Sequence, residues 1–223
     1  MIKDPVDYET WYHTPYGRWV GQREFFLLIK MIRFRKSGSL LDVGSGTGYF
    51  SRQFFAEGFR VTCLDSDSAM LDFAQKQTTE ISYVEGTAVQ LPFAENSFDF
   101  CSAVTSLCFV DEPEIALAEM WRVSRHGVIL GLLNQNSLLC RKKSGQGGYV
   151  GARWDTWQDV KNWVLPLMPA PDVIKHKTAI FFPDGGMRMR LIEWLLPAKM
   201  PWGGFLAVYL EKYTHVKDEV FTG

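Results

Sequence analysis

The sequence contains little cysteine, shows no excess of either charge sign and has no long apolar run. Its 223 residues include four cysteines without a C-x-x-C pair, which argues against a disulfide framework or a cysteine-ligated zinc site. The net charge of −1 offers no bulk attraction for nucleic acid. The longest apolar runs, Phe25–Ile29 and Val128–Leu133, are far shorter than the ~20 residues of a membrane span. We therefore expect a cytoplasmic protein with free thiols and with neither nucleic-acid nor membrane partners.

Metal-ligand patterns and internal repeats are also absent from the sequence. It has no H-x-x-x-H pair, Cys/His cluster or paired-acid spacing, so we expect no metal cofactor. Residues 1–7 lack the apolar segment of a signal peptide, which also favours the cytoplasm. With 47% hydrophobic and 22% charged residues, a chain of this length is typical of one globular domain, and its oligomeric state stays open.

A glycine-rich segment between a predicted strand and a predicted helix is the strongest local signal. The apolar stretch 40–43 is followed by glycine at every second position, namely Gly44, Gly46 and Gly48. Phenylalanines at helical spacing then predict a helix over 49–56. Glycines in such a turn adopt positive φ, and without a Cβ they let a ligand reach the amides at the helix N-terminus. The segment therefore predicts a loop that holds a ligand against its backbone.

The spacing of the glycines narrows the class of ligand. A dinucleotide fingerprint reads G-x-G-x-x-G, and here Tyr49 stands where its third glycine would be. Asp65 directly follows the next predicted strand, 59–64, and lies about 20 residues after Gly44. An acid at this position accepts hydrogen bonds from both hydroxyls of a ribose. Together the two signals indicate an adenosine ligand that needs no pyrophosphate site. A nicotinamide-dependent oxidoreductase is a rival interpretation, and the missing third glycine argues against it.

Four motifs follow one another in the first two thirds of the chain. Residues 41–48 read Leu-Asp-Val-Gly-Ser-Gly-Thr-Gly, residues 64–71 read Leu-Asp-Ser-Asp-Ser-Ala-Met-Leu, Gly86 is followed by Leu-Pro-Phe at 91–93, and 97–99 read Ser-Phe-Asp. This series resembles the motifs of class I S-adenosylmethionine (SAM) dependent methyltransferases of the small type 11 kind. The resemblance implies SAM as the cofactor, S-adenosylhomocysteine (SAH) as its product and a small molecule as the methyl acceptor.

The resemblance also implies a fold and a division of the chain. The fold is Rossmann-like α/β: a doubly wound, mostly parallel sheet of seven strands in the order 3-2-1-4-5-7-6, with helices on both faces. The matching motifs cover about residues 40 to 133. We expect a single methyltransferase domain, 1–223, made of an N-terminal arm and helix (1–36), a SAM-binding core (37–133), a cap or lid insertion (134–176) and C-terminal strands (177–223).

Apolar periodicity predicts the remaining elements. Helices are expected over 21–35, 69–77, 112–124, 157–164 and 188–196, and strands over 81–85, 98–104, 128–133, 178–182 and 205–210. Thr156 and Asp159 have the spacing of a capping box. The stretch 124–127 is expected to form the turn before the fifth strand. The basic, glycine-rich stretch 141–148 is interpreted as an exposed flexible loop, with a substrate lid as the alternative.

The resemblance implies which loop residues hold the cofactor. The glycine loop, with Gly44, Ser45, Gly46 and Gly48, would contact the methionine half of SAM. Asp65 would bind the ribose. These five positions are the centre of the expected cofactor site.

Five further positions would border the cofactor. Asp42 would orient the loop amides or receive the methionine ammonium, unless its role is purely structural. Ser66 and Met70 would border the adenine. Thr87 and Ala88 stand where the family usually has Asp-Ala, and a threonine there accepts a hydrogen bond but supplies no charge. The adenine contact is therefore expected to involve backbone atoms of Thr87 and Ala88.

An aromatic arm precedes the sheet. Residues 3–23 are rich in tyrosine and tryptophan, and 15–17 contain a proline and a glycine that predict irregular structure instead of a helix. In similar methyltransferases such an arm folds over the cofactor and helps to form the substrate pocket. Tyr8, Tyr12 and Arg18 are the candidate contacts, and simple anchoring of the arm is the alternative.

Two more candidates concern the chemistry of the site. Thr105 follows the fourth strand at the switch point of a doubly wound sheet, where ligands bind, although a strand cap would explain it as well. Methyl transfer from a sulfonium needs alignment more than covalent help, and alignment is worth about 7–11 kcal/mol in the best models. A general base is needed only for a protonated acceptor, and His13 is the candidate base. A non-enzymatic protein of the same fold that binds SAM as a sensor or scaffold remains the main alternative.

Overall fold

One sheet organises the protein. The computed structural model describes residues 4–32, 37–183, 186, 189, 192–193, 195–197 and 199–212. In this part of the chain seven strands form a single sheet: β1 (Gly38–Val43), β2 (Phe59–Asp65), β3 (Ser82–Glu85), β4 (Phe98–Val104), β5 (Ser124–Leu133), β6 (Val173–Ala179) and β7 (Phe205–Glu211). Their order is β3-β2-β1-β4-β5-β7-β6. Strands from β3 to β5 pair in parallel, and β7 is antiparallel to both β5 and β6. The expected sheet and its strand order are confirmed.

Helices cover both faces of this sheet. In the described residues they are α1 (Pro5–His13), α2 (Pro15–Met31), α3 (Tyr49–Ala56), α4 (Ser68–Gln77), α5 (Pro113–Val123), α6 (Leu138–Lys143) and α7 (Trp157–Val164). Successive strand residues point to opposite faces. Leu40 and Phe100 accordingly pack with the core on the α2 and α3 side, whereas Leu41 and Cys101 pack with the core on the α5 and α7 side. The four cysteines are free, as expected.

The glycine loop joins β1 to α3 as the sequence predicts. The amides of Gly44 and Ser45 donate to the carbonyl oxygen of Leu64 at 2.7 and 3.1 Å, which ties the loop to the end of β2. Gly44, Gly46 and Gly48 have φ values of +68°, +54° and +75°. This left-handed region is open to glycine and strained for other residues. The loop therefore depends on glycine at each of the three positions.

The N-terminal arm is helical, and the expectation of irregular structure was wrong. Pro15 lies in the first turn of α2, where a missing amide proton leaves no hydrogen bond unmade. Thr14 caps this helix by accepting a hydrogen bond from the Gly17 amide at 3.0 Å. Gly17 allows the turn to close, because a Cβ there would collide with the carbonyl oxygen of Trp11. As a result α2 begins at Pro15 instead of position 21.

Two strand boundaries also differ from the predictions. β5 begins at Ser124, which pairs with Phe98, so the stretch expected to turn is part of the strand. β6 runs from Val173 to Ala179 instead of 178–182. Most residues of this edge strand are exposed, so its sequence shows no apolar alternation and its position is set by backbone pairing with β7.

The region between β5 and β6 is more ordered than a flexible loop. The stretch 141–148 contains the end of α6 and part of a 3₁₀ turn at Gly147–Tyr149. Thr156 and Asp159 form the predicted capping box at the start of α7. The helix predicted over 188–196 lies mostly outside the described residues.

Gly127 gives a test of the β5–β7 pairing. A Cβ at this position would collide with the carbonyl oxygen of Leu210 on β7. We expect Gly127→Ala to lower the free energy of unfolding by about 2 kcal/mol or more, measured by urea denaturation. Gly186→Ala is the control, because a Cβ there would meet no atom of the described part of the chain within 4 Å, and it should change stability little. Equal stabilities of the two variants would contradict this account of the pairing.

Candidate active site

A large cavity lies at the carboxyl ends of the central strands. It measures about 1120 Å³ and is enclosed by the glycine loop, the end of β4, the helices α1 and α2, and the segment after β5. In a doubly wound sheet this is the position of the topological switch, where ligands bind. The predicted residues that line it are Asp42, Gly44, Ser45, Gly46, Asp65, Ser66, Met70, Thr105, Tyr8 and Tyr12.

A smaller cavity continues the large one toward β3. It measures about 270 Å³ and shares Gly44, Asp65 and Ser66 with the large cavity. Thr87 and Ala88 line it, so the structure brings these two predicted positions to the same crevice. The two cavities together form one elongated crevice over the ends of β1, β2 and β4.

Three predicted residues do not line either cavity. Gly48 occupies the N-cap position of α3, at the end of the glycine loop. Arg18 is exposed on α2. His13 is exposed at the end of α1, with its Nε2 atom 3.8 Å from the carboxylate of Glu9. The geometry therefore gives the candidate base His13 no contact with the crevice.

Asp65 connects the end of β2 to the glycine loop. Its Oδ2 atom accepts a hydrogen bond from the Gly46 amide at 2.7 Å, and its Oδ1 atom accepts one from the Asp67 amide at 3.0 Å. Each carboxylate oxygen has a second lone pair, so the side chain can still accept hydrogen bonds from a ligand. A Cβ on Gly46 would meet no atom within 4 Å, so the loop leaves open space at this point.

Asp42 is buried beneath the loop. It accepts hydrogen bonds from Ser51 Oγ at 2.5 Å and from Ser102 Oγ at 2.7 Å. Burial raises the pKa of Asp42 to about 6, and the two hydroxyl donors lower it only in part. Asp42 therefore links α3 and β4 under the loop and also lines the cavity.

The raised pKa of Asp42 predicts a pH dependence of stability. Because the folded state holds this proton more tightly than the unfolded chain, the native protein loses stability as the pH rises from about 4 through 6. Asp42→Asn removes this ionisation. We expect the wild type to lose about 2–3 kcal/mol relative to the variant between pH 4 and pH 8, at about 1.4 kcal/mol for each pH unit of the shift, in urea unfolding. A stability difference that does not vary with pH would contradict the burial of an ionisable Asp42.

A partly buried ion pair connects α1 to the glycine loop. Arg52 Nη2 lies 2.5 Å from Glu9 Oε1, and the Thr47 hydroxyl donates to Glu9 Oε2 at 2.7 Å. Arg52 also donates to the carbonyl oxygen of Thr47 at 2.7 Å. All three groups are thus satisfied by one another, which holds the arm next to the loop.

Tyr49 strengthens the same attachment. Its ring stacks on Tyr12 of α1 with a centroid distance of 3.7 Å and an interplanar angle of 12°. Gly21 of α2 makes room for it, because a Cβ there would lie 2.5 Å from the Tyr49 hydroxyl. Tyr49, which stands in place of the third fingerprint glycine, therefore packs against both N-terminal helices and helps to hold them next to the loop.

Thr105 has an unusual backbone conformation at the end of β4. Its φ of +51° is rare for a β-branched residue. The strand geometry holds it there, since its amide donates to the carbonyl oxygen of Gly131 on β5 at 2.7 Å. Backbone strain of this kind is concentrated at functional sites. It brings Thr105 into the wall of the cavity.

The segment after β5 is attached firmly to the strand ends. Arg153 donates to the carbonyl oxygen of Leu107 at 2.8 Å and to the carboxylate of Asp155 at 2.6 Å. The Asp155 amide donates to the carbonyl oxygen of Leu133, the last residue of β5, at 2.8 Å. These bonds place Tyr149 in the wall of the cavity. The segment after β5 therefore contributes Tyr149 to this side of the crevice.

Glu24 is a cavity residue that the sequence patterns did not identify. It lies on α2 one turn from Val20 and one turn from Leu28, both of which are buried. Glu24 itself is 7% exposed and lines the cavity. An acid within the apolar stripe of an amphipathic helix is the signal that would have revealed it.

The attachment of the arm gives a test of its role in the site. Arg52→Gln leaves the Glu9 carboxylate without its cation. We expect faster hydrogen exchange of the α1 amides and about 3- to 10-fold weaker binding of SAH, because the arm forms one wall of the crevice. Arg60→Gln, an exposed arginine on β2, is the control and should change neither quantity. Unchanged exchange in Arg52→Gln would show that the ion pair does not hold α1.

The fold and the crevice are those of a doubly wound α/β protein with a large cavity at the switch point of its sheet. Residues 41–132 match the family model described as a methyltransferase domain. A SAM-dependent methyltransferase from Thermotoga maritima, described as a possible histamine N-methyltransferase, shares the fold with a TM-score of 0.73 at 24% identity, over 93% of this chain and 96% of that chain.

Two curated relatives match part of the chain. A malonyl-[acyl-carrier protein] O-methyltransferase of Serratia marcescens is 36% identical over 153 residues, which make up 66% of this chain and 54% of that protein. A demethylmenaquinone methyltransferase of Renibacterium salmoninarum is 41% identical over 88 residues, which make up 40% of this chain and 37% of that protein. The chain thus matches about half or less of the length of these relatives.

Proposed function

We propose that this protein is a SAM-dependent methyltransferase that acts on a small molecule bound beside the cofactor. The continuity of the crevice is the main support for this proposal. One cavity extends from the glycine loop to the walls formed by the arm and the cap, so a cofactor site and an enclosed acceptor space adjoin. This is the arrangement that an in-line transfer between two bound molecules requires.

The residues of the crevice fit an adenosyl amino acid. The open, left-handed Gly46 allows a ligand to lie against the loop backbone, and Asp65 has free lone pairs for ribose hydroxyls. Thr87 and Ala88 would border the adenine in the smaller cavity. When bound, SAM supplies a methyl group activated by a sulfonium. The protein's part is to orient the acceptor toward that group and to exclude water.

Several observations bear on the rival functions. A cavity that extends beyond the glycine loop to the walls formed by the arm and by Tyr149 favours an enzyme over a sensor or scaffold that only binds SAM. Tyr49, packed between the two N-terminal helices, fills the position that a dinucleotide-binding loop keeps for glycine. The acceptors in the names of the two curated relatives differ from each other, so they do not identify the acceptor of this protein.

The cellular location of the protein and the absence of metal and nucleic-acid partners are also proposals. No helix among the described residues is long and apolar enough to cross a membrane. The same residues contain no cluster of three or more histidine, cysteine or acidic side chains able to hold a metal ion. We propose a cytoplasmic enzyme that uses neither a metal nor a nucleic-acid substrate.

Calorimetric titration with SAM, SAH and NADH tests the cofactor. We expect micromolar binding of SAM and SAH and no binding of NADH. Asp65→Ala should weaken SAH binding by about 10-fold or more, because the ribose would lose charge-assisted hydrogen bonds. Asp72→Asn, which changes an exposed acid on α4, is the control and should bind SAH like the wild type. Binding of NADH without SAM would refute the proposal, and binding of none of the three would favour a non-enzymatic domain.

A further inference from the structure

Glu24 is the buried acid of the cavity that lacks a partner. No described residue donates a hydrogen bond to its carboxylate or forms an ion pair with it, whereas Asp42 and Asp65 each accept two hydrogen bonds. Burying a carboxylate without partners is costly. Its place on α2, between the buried residues Val20 and Leu28, gives it no packing advantage over a leucine. Such a group indicates a ligand that completes its hydrogen bonds.

Tyrosine side chains surround this acid. Tyr8 and Tyr12 of α1, Tyr49 of α3 and Tyr149 of the cap all line the same cavity. After burial, the charge of Glu24 is the next largest cause of the raised pKa of both Tyr49 and Tyr149, which places both tyrosines close to it. The faces of aromatic rings attract cations.

The charges of the cavity favour a cationic ligand. Its described lining residues include the acids Glu24, Asp42, Asp65 and Asp67, and the one lysine or arginine among them is Lys143. Lys143 lies on the exposed surface of α6. The remaining wall near Glu24 is aromatic and aliphatic, which suits an apolar body attached to a small charged group.

We propose that Glu24 and the four tyrosines bind the ammonium group of an amine, and that the methyl acceptor is an amine carried on an apolar body. This inference rests on the proposed function and names the substrate class of the same site. Glu24 is then the group that recognises the acceptor. The cap and the arm supply the aromatic walls around it.

Glu24 also has the properties of a proton acceptor for such an amine. Burial raises its pKa to about 8, so without a ligand it is mostly protonated at pH 7. A bound ammonium favours the ionised carboxylate, and the proton of Glu24 leaves to solvent. Before the amine nitrogen can act as a nucleophile, one ammonium N–H bond must break. The carboxylate of Glu24 takes that proton by forming an O–H bond, which leaves a neutral amine with its lone pair.

The pKa values that burial raises around Glu24 differ from its own: the tyrosines and Cys108 stay neutral at pH 7, and Asp42 is mostly ionised there. Burial raises the pKa of Tyr8, Tyr12, Tyr49, Tyr149 and Cys108, and that of Asp42 to about 6. Arg23, the neighbouring cation on α2, interacts with Glu193. Asp65, Asp67 and Lys143 are the other charged residues that line the cavity.

Binding of three probes to the SAH-loaded protein tests the inference. The probes are phenethylamine, which is a cation at pH 7, the neutral 2-phenylethanol and the anionic 3-phenylpropanoate, and binding is measured by calorimetry. We expect the cation to bind about 10-fold or more tightly than either of the others, as a charge-assisted hydrogen bond and cation–π contacts imply. In Glu24→Gln the preference should fall below about 3-fold, because the amide carries no charge.

A second readout distinguishes recognition from a structural role. Calorimetry in buffers of different ionisation enthalpy counts protons. We expect nearly one proton to be released when phenethylamine binds the wild type at pH 7, and none when it binds Glu24→Gln. Glu80→Gln, which changes an exposed acid before β3, is the matched control and should behave as the wild type in both experiments.

Each outcome can be assigned to one of the two proposals. A preference for the neutral or anionic probe, or no binding of any probe while SAH binds, would overturn the amine inference and leave the methyltransferase proposal intact. Equal weakening of SAH and phenethylamine in Glu24→Gln would place Glu24 in the cofactor half and also overturn the inference. Failure of the wild type to bind SAH would instead refute the methyltransferase proposal.

Discussion

The partly buried ion pair between Glu9 and Arg52 is the contact on which the shape of the crevice depends. It joins α1, which comes before the sheet in the chain, to α3, which follows the glycine loop. The stack of Tyr12 on Tyr49 repeats this connection a turn away. With α1 held in this way, the loop that would receive the cofactor and the helices that would receive the acceptor share one enclosed space. The N-terminal segment is therefore a wall of the site.

Three strained or buried polar positions of the structure lie around that space. Thr105 adopts a left-handed conformation at the end of β4, Asp42 is buried beneath the loop, and Glu24 faces the cavity without a partner. Each of these arrangements destabilises the folded state, and a packed leucine or a relaxed turn would avoid the cost. All three line the cavity at the carboxyl ends of the central strands, where a functional site is expected.

The family match and the wall of the cavity involve different parts of the chain. The family match covers 41–132, the part that carries the glycine loop and β2 to β5. Much of the acceptor wall, including Tyr8, Glu24 and Tyr149, lies outside this range. Since a shared fold does not determine which reaction partner is bound, the identity of the acceptor has to be argued from these side chains.

The sequence by itself determined the strand–glycine loop–helix unit, the acid at the end of β2 and most of the parallel strands, and its resemblance to a known family implied the strand order. These features follow from local patterns or motifs: apolar runs, glycines where φ is positive, and an acid at a set distance from the loop. It did not show that the arm is helical, that β6 begins at Val173, or that Glu24 faces a cavity. Only the tertiary structure decided these points, because they depend on contacts between distant segments: Tyr49 packed against Gly21, β6 paired with β7, and the tyrosines of three elements around one carboxylate.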